Sequence, residues 1–125
     1  MTLLDTSVLI DSLSGPKRSA GALRAAIEQG ERILIPSLVL YEWLRGPRLP
    51  SEMAAQENLF PADRAVVFGA REASLSAELY RSLKRPRGRE FDLAIAACAM
   101  VREAYLWTLN RADFRDIPQL RLAAF

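Results

Sequence analysis

The chain has 125 residues, of which 50% are hydrophobic and 26% are charged, as is typical of a globular protein. It contains no histidine, which excludes Ser-His-Asp and Cys-His nucleophilic schemes, histidine general bases and histidine metal ligands. No apolar run is long enough for a membrane helix, and no basic segment precedes the first leucines as in a signal peptide. The one cysteine, Cys98, has small apolar neighbours and is predicted to be a core residue. We therefore expect one domain over residues 1–125, a cytoplasmic location and no membrane partner.

The charge balance permits a nucleic-acid partner without requiring one. Seventeen basic and 15 acidic residues give a formal net charge of +2, and the sequence pI is about 9.0. Lys17 and Lys84 are the only lysines, so nearly all of the basic side chains are arginines. The planar guanidinium favours bidentate contacts with phosphate or carboxylate groups.

In the first half of the chain, short apolar segments are followed by segments with helical spacing. Gly and Pro residues punctuate these segments, and Ser37 is expected to cap the helix that follows Pro36. In chain order, the predicted elements are a strand over 3–5, a turn or helix over 8–13, a helix over 19–30, a strand over 31–36, and helices over 37–46 and 51–60.

The second half repeats this alternation and adds one basic loop, KRPRGRE, over residues 84–90. Its predicted elements are a strand over 65–69, a helix over 70–84, an apolar helix over 91–104, a strand over 105–109, a turn or short helix over 112–117 and a strand over 120–125. Strands that alternate with helices predict an α/β fold with a parallel sheet.

Four carboxylates follow the predicted strands. Asp5 ends the first strand, and Glu42 lies in the helix after the second. Asp92 lies in the first turn of the apolar helix, and Asp113 comes just after the strand over 105–109. Because the carboxyl ends of parallel strands lie at one edge of a sheet, we expect these four side chains to lie near one another.

Each acid on its own also has a structural explanation. Asp5 could simply terminate a strand, Glu42 could pair with Arg45, Asp92 could complement a helix dipole, and Asp113 could cap a turn. Together, however, four converging carboxylates repel one another and need a cation. Oxygen ligands without histidine or a cysteine cluster predict Mg²⁺ or Mn²⁺ and disfavour Zn²⁺. Among the neighbouring acids, Asp11 and Asp116 are expected to be solvated or capping residues, and the role of Glu90 is left open.

Basic residues surround the candidate acids in sequence. Because the net charge is +2, setting the four acids aside leaves the rest of the chain at +6, which fits a phosphodiester substrate. The alternative is a solvated basic loop. The candidate nucleic-acid contacts are Arg45, Arg48, Lys84, Arg85, Arg87 and Arg89.

At these residues the sequence resembles a PIN-domain ribonuclease, specifically the VapC-type toxin of bacterial and archaeal toxin–antitoxin pairs. Four segments carry the resemblance in order: LLDTSVLID, IPSLVLYEWLRG, REFDLAIAACAM and LWTLNRADF. Each segment is a weak signal alone, but four in the right order and spacing are a strong one. The resemblance implies a single PIN-like α/β domain, an α/β/α sandwich around a mainly parallel sheet of four to five strands.

The resemblance also implies an activity, metal-assisted hydrolysis of RNA. Asp5, Asp92 and Asp113 would hold Mg²⁺ or Mn²⁺ directly or through water, and Glu42 would orient or deprotonate the attacking water. Family members usually form homodimers and are silenced by a VapB antitoxin whose tail covers the acidic groove. The residues expected to fix the carboxylates or the metal-bound waters are Ser7, Thr108 and Asn110.

Two other interpretations are open at this point. A PIN nuclease could serve RNA processing rather than act as a toxin, and the small size favours the toxin. In a non-catalytic module that binds RNA or protein, the acids would only cap helices. A haloacid-dehalogenase-type phosphatase is excluded, because Ser7 stands where its second aspartate would be.

Overall fold

A computed structural model describes residues 1–124 of the chain. Within that range the structure has three β-strands, six α-helices and two short 3₁₀ turns. The elements are β1 (Thr2–Leu4), α1 (Thr6–Leu13), α2 (Ala20–Glu28), β2 (Ile33–Leu34), α3 (Ser37–Arg45), α4 (Pro50–Leu59), a 3₁₀ turn (Ala62–Arg64), α5 (Ala70–Ser82), α6 (Glu90–Val101), β3 (Tyr105–Trp107) and a second 3₁₀ turn (Arg111–Asp113).

The sheet is parallel, with β1 in the centre and the strand order β2-β1-β3. Thr2 pairs with Ile33 on one side and with Tyr105 on the other. Every residue of β1 is buried, as expected for the central strand of a parallel sheet that helices cover. The predicted α/β class is confirmed, and all three strands end at the edge where Asp5, the start of α3 and Thr108 lie.

The sheet has three strands over residues 1–124 rather than the predicted four or five. The segment over 65–69 makes only one parallel bridge, between Val66 and Pro36. It extends no further because α3 begins at Ser37, whose hydroxyl accepts a hydrogen bond from the Phe68 N–H. The segment over 120–125 likewise makes one bridge, between Leu122 and Leu106, and Phe125 lies outside the described residues.

Helix boundaries differ slightly from those predicted. The residue that caps α3 is Pro36, so the prediction of Ser37 as the N-cap is wrong, and Ser37 is the first helical residue. Helix α4 begins at Pro50, which has no N–H to leave unpaired, and the Glu52 side chain accepts from the Leu49 N–H. Glu72 accepts from the Gly69 N–H at the start of α5 in the same way.

The core is built around α6. Its residues 93–99 are all buried, which explains why this helix is apolar on every side rather than on one stripe. Cys98 is fully buried there, as predicted, and its thiol pKa is raised to about 11 by burial. Helix α6 packs against α5, α3 and β3, and so its first turn is fixed close to the end of the sheet. None of the helices within residues 1–124 is long and apolar enough to cross a membrane.

Candidate active site

Asp5 is a buried carboxylate that two hydroxyl groups hold. It follows β1 directly and is 5% exposed. Ser7 Oγ donates to Asp5 Oδ2 at 2.9 Å, and Thr108 Oγ1 donates to the same oxygen at 2.7 Å. Because Thr108 follows β3, this contact joins the ends of two neighbouring strands. Among the described residues no donor reaches Oδ1, which leaves that oxygen as a free acceptor.

Backbone N–H groups orient both hydroxyls toward Asp5. The Leu109 N–H donates to Ser7 Oγ at 3.1 Å, and the Asn110 N–H donates to Thr108 Oγ1 at 3.0 Å. A hydroxyl has a single proton, so an oxygen that already accepts from the backbone is set to direct that proton at the carboxylate. The Asp5 side chain is therefore oriented by neutral donors and by no basic residue among the described residues.

Glu42 lies on α3 and faces the start of α1. Thr6 Oγ1 donates to Glu42 Oε1 at 2.5 Å, and Arg45 Nη2 lies 3.4 Å from Oε2. The Arg45 side chain is 54% exposed, so this i,i+3 pair contributes little stability. The alternative that Glu42 only pairs with Arg45 is therefore met in part, since the two side chains are in contact. The hydroxyl of Thr6, however, makes the shorter contact with Glu42.

Asp92 lies in the first turn of α6 and is half-buried. Burial, and then the negative charges of Asp5, Asp113 and Glu42, raise its pKa from 3.8 to about 6. The charge of Arg89 opposes this rise only in part. The four acids are thus close enough for each of the other three to act on Asp92, which is the convergence that the strand ends predict.

Asp113 ends the second 3₁₀ turn and is exposed. Its side chain receives no hydrogen bond among the described residues, while its backbone carbonyl accepts from Arg89. The exposed Asn110 caps this turn, and its contact with the site is made by its backbone N–H on Thr108. Its side chain has no partner within residues 1–124.

The acids face one another without forming a closed ligand set. No group of three or more His, Cys, Asp or Glu side chains within residues 1–124 is arranged to hold an ion. The chemistry of the donors nevertheless fits a hard divalent cation. All of them are oxygens, Asp5 keeps Oδ1 free, and the negative charges of the other three acids add to the effect of burial in raising the pKa of Asp92.

The structure sorts the candidate nucleic-acid contacts into two groups. Arg48 donates from Nε to the Trp43 carbonyl at 2.9 Å, and its Cζ lies 4.1 Å from the ring centroid of Trp43, so its guanidinium is already engaged by the protein. Arg45 and Arg89 contact carboxylates. The cations that are exposed and have no acceptor among the described residues are Lys84, Arg85 and Arg87.

A cavity of about 790 Å³ opens beside Asp113. It is lined by Lys84, Arg85, Arg89, Ala112, Asp113, Arg115 and Asp116. Lys84, Arg85 and the exposed Arg115 bring positive charge to it without a carboxylate partner. The acids and the free cations are thus neighbours at this end of the molecule.

Sequence reasoning missed three contributors to this region. Thr6 precedes Ser7 and gives no separate motif signal, yet it holds Glu42 across 36 positions. Asp116, expected to be solvated or capping, pairs with Arg89. Arg115 stands outside the KRPRGRE loop, and only the fold brings it beside that loop.

The fold is that of a PIN domain. The sequence matches the PIN domain family over residues 2–120, and the chain belongs to that family.

Among known proteins, this chain is similar to Ribonuclease VapC19 of Mycobacterium tuberculosis, with 38% identity over 127 aligned positions that cover 97% of this chain and 98% of the relative. Its fold is similar to a chain of the DNA-bound VapBC of Salmonella typhimurium, with a TM-score of 0.79, 24% identity, and coverage of 98% and 96% of the two chains. A toxin–antitoxin complex from Klebsiella pneumoniae gives a TM-score of 0.74 at 26% identity, with coverage of 96% and 95%.

Proposed function

We propose that this protein is a metal-dependent endoribonuclease and the toxin of a VapBC-type toxin–antitoxin pair. The observation that carries this proposal is the arrangement at the end of β1, where Asp5 is buried against two oriented hydroxyls and faces three further acids without a basic partner of its own. Similarity to Ribonuclease VapC19 over nearly the whole chain supports the same activity.

Asp5, Asp92 and Asp113 would hold the ion, and the all-oxygen donor set favours Mg²⁺ or Mn²⁺. When bound, such an ion lowers the pKa of a coordinated water and neutralises charge on the phosphodiester oxygens. Ser7 and Thr108 fix Asp5 by donating to Oδ2, so that Oδ1 stays available as a ligand atom.

Glu42 completes the site as the group that orients or deprotonates the attacking water. Thr6 holds Oε1 by a hydrogen bond, which restricts the rotation of the carboxylate. The second oxygen faces Arg45 at 3.4 Å, a distance longer than that of a strong charge-assisted hydrogen bond, so it remains available to accept a hydrogen bond from the attacking water.

RNA is proposed to approach along the cations beside Asp113. Lys84, Arg85 and Arg115 line the cavity there and lack protein partners within residues 1–124, so phosphate contacts displace no internal ion pair. Arg87 extends the same basic loop. These contacts position the RNA backbone and carry no base sequence by themselves.

The proposed partner is a VapB-type antitoxin, because the structural neighbours include VapBC assemblies. A homodimer and a cytoplasmic location are further parts of the proposal. Both agree with the family resemblance of the sequence, and the location also agrees with a single, buried cysteine.

The experiment is a Mn²⁺ titration by calorimetry on antitoxin-free protein, which compares the wild type with Asp92→Asn. We expect the wild type to bind and the variant to lose at least about tenfold in affinity, since a ligand carboxylate is replaced by a neutral amide. The matched control is Asp63→Asn, an exposed acid in the first 3₁₀ turn, which should bind as the wild type does.

A second arm uses folded tRNA and rRNA fragments with Mg²⁺ or with EDTA. Cleavage by the wild type in Mg²⁺ alone, and its loss in Asp92→Asn, supports the nuclease. If neither metal binding nor cleavage responds to Asp92→Asn, the carboxylates are capping residues and the protein is a non-catalytic binding module.

A further inference from the structure

We propose that Arg89 and Asp116 are a positioning pair, which holds the turn that carries Asp113 against the first turn of α6 that carries Asp92. On this view Arg89 is not an RNA contact, although it belongs to the basic loop. The inference rests on the proposed function for its catalytic meaning, and on hydrogen bonds for its structural content.

The geometry of Arg89 supplies the first argument. Nη1 and Nη2 donate to the two carboxylate oxygens of Asp116 at 2.9 and 2.6 Å, a bidentate fork. Nη2 also donates to the Asp113 carbonyl at 2.9 Å, and Nη1 to the Arg85 carbonyl at 3.2 Å. One guanidinium therefore connects the basic loop, the start of α6 and the segment over 111–116, which begins with the second 3₁₀ turn.

The location of these contacts supplies the second argument. Arg89 is the N-cap residue of α6, three positions before Asp92. Asp113 is exposed, and no side-chain hydrogen bond fixes it within residues 1–124. Buried Phe114 anchors the turn in the core, and Arg89 holds its outer side. The orientation of Asp113 relative to Asp92 thus depends on the backbone contact that Arg89 makes.

The third argument is that the N–H donors of Arg89 are already used within the protein. A guanidinium has four hydrogens on Nη1 and Nη2, and the four contacts above account for all of them. To present a fork to phosphate, Arg89 would have to give up Asp116 or the Asp113 carbonyl. Lys84 and Arg85 have no such commitment, since their side chains are exposed and lack acceptors among the described residues.

Asp116 also has a role of its own in the pair. The charge of Arg89 reaches both Asp92 and Asp113, so an untethered guanidinium would compete with a cation for those carboxylates. The bidentate fork keeps the guanidinium on Asp116. We therefore expect the loss of either partner to loosen the turn and weaken metal binding, and the loss of Asp116 also to release a competing cation.

The test compares Arg89→Lys and Asp116→Asn with Lys84→Ala by two readouts. The first is Mn²⁺ affinity from calorimetry without RNA. The second is the salt dependence of binding to a fluorescein-labelled single-stranded RNA in EDTA, measured by anisotropy. Lysine keeps the positive charge of Arg89 but not its fork, so Arg89→Lys separates positioning from simple charge.

We expect both pair variants to lose about tenfold in Mn²⁺ affinity and to keep the wild-type salt dependence. The double variant should lose no more than the larger single loss, because the two residues act together. Lys84→Ala should show the opposite pattern, with unchanged Mn²⁺ affinity and a slope of log K against log salt that is smaller by about 0.7.

Two binding results would overturn the inference. One is wild-type Mn²⁺ affinity in Arg89→Lys and Asp116→Asn. The other is a reduced salt slope in an Arg89→Ala variant with no effect of Asp116→Asn, which would make Arg89 an RNA contact.

A metal-independent readout separates this inference from the proposed function. If the wild type binds no Mn²⁺, the proposed function fails, but amide hydrogen exchange still tests the pair. We expect protection of the Asp113, Phe114 and Ile117 amides to fall about tenfold in both variants, while unchanged protection would refute the pair.

Discussion

Two regions of this molecule bury a carboxylate to the same extent and treat it in opposite ways. Glu72, at the start of α5, and Asp5, at the end of β1, are each 5% exposed. Glu72 accepts from Arg102 at 2.7 Å and from the Gly69 N–H, whereas Asp5 has only the hydroxyls of Ser7 and Thr108. Arg102 belongs to the α6 C-cap, so the ion pair ties α5 to α6.

The electrostatic outcome follows this difference. At Glu72, burial works against the charged form, but the hydrogen bond from Arg102 and backbone donors hold the pKa below its ordinary value. At Asp92, near Asp5, burial and neighbouring acids raise the pKa to about 6. Glu72, which serves stability, is thus paired with an arginine. The acids at the strand ends have too little positive charge nearby to offset their own repulsion.

The largest effect on stability is expected from breaking the ion pair between Glu72 and Arg102. Glu72→Ala leaves the half-buried Arg102 without its carboxylate partner and also removes the cap on the Gly69 N–H. Removal of one member of a buried pair costs about 3–5 kcal/mol. Urea denaturation should show a loss of that size. Glu78→Ala, an exposed site on the same helix, should stay within about 0.5 kcal/mol, and an equally small effect of Glu72→Ala would refute the assigned role.

The support of Asp5 should matter less for stability and more for activity. Thr108→Val keeps the shape of the side chain but removes the hydroxyl that donates to Oδ2. We expect about a 10–100-fold loss of Mn²⁺ affinity and RNA cleavage, because outer contacts orient metal ligands. Thr108→Ser restores the donor and should recover most of the loss. Equal losses in the valine and serine variants would point to packing instead of hydrogen bonding.

The smallest effect is a gain in stability when one of the strand-end acids, Asp92, is neutralised. Asp92→Asn removes a carboxylate whose pKa is raised in the folded state, so its charge destabilises the fold above pH 6 and has no effect below its unfolded pKa near 4. A shift of about two units is at most about 3 kcal/mol, and partial exposure reduces the expected gain to about 1 kcal/mol.

The measurement is thermal unfolding in EDTA at pH 8 and pH 4. The gain should be present at pH 8 and absent at pH 4, and Asp63→Asn should show neither. A variant that is less stable than the wild type at pH 8 would contradict the comparison, because it would mean that Asp92 stabilises the metal-free fold.

The sequence is sufficient to predict the fold class and the identity of the acids. The order of apolar segments predicts parallel strands, and acids placed just after strands lead to one edge of the sheet. The family resemblance adds Ser7 and Thr108, whose contacts with Asp5 are present. The catalytic roles of Asp5, Glu42, Asp92 and Asp113 stay predictions.

The contacts that the sequence could not predict are those between residues far apart along the chain. The Thr6–Glu42 and Arg89–Asp116 contacts join residues 36 and 27 positions apart, and no periodic pattern marks such pairs. The arginines illustrate the same limit. In the sequence, Arg48, Arg89 and Arg85 are three equally plausible nucleic-acid contacts. In the folded chain, Arg48 and Arg89 have protein acceptors for their guanidinium groups, whereas Arg85 has none among the described residues.

The hydroxyl support of Asp5 has a consequence for synthesis. Asp5 and Thr108 stand 103 positions apart, and the Leu109 N–H that orients Ser7 is equally remote. A ribosome makes β1 and α1 early, but Asp5 acquires its donors only after β3 has paired with β1. A nascent chain that lacks β3 already carries Asp5, Glu42 and Asp92, yet none of them belongs to an ordered site. On the proposed function, the nascent chain therefore has no assembled site for RNA cleavage until that strand is in place.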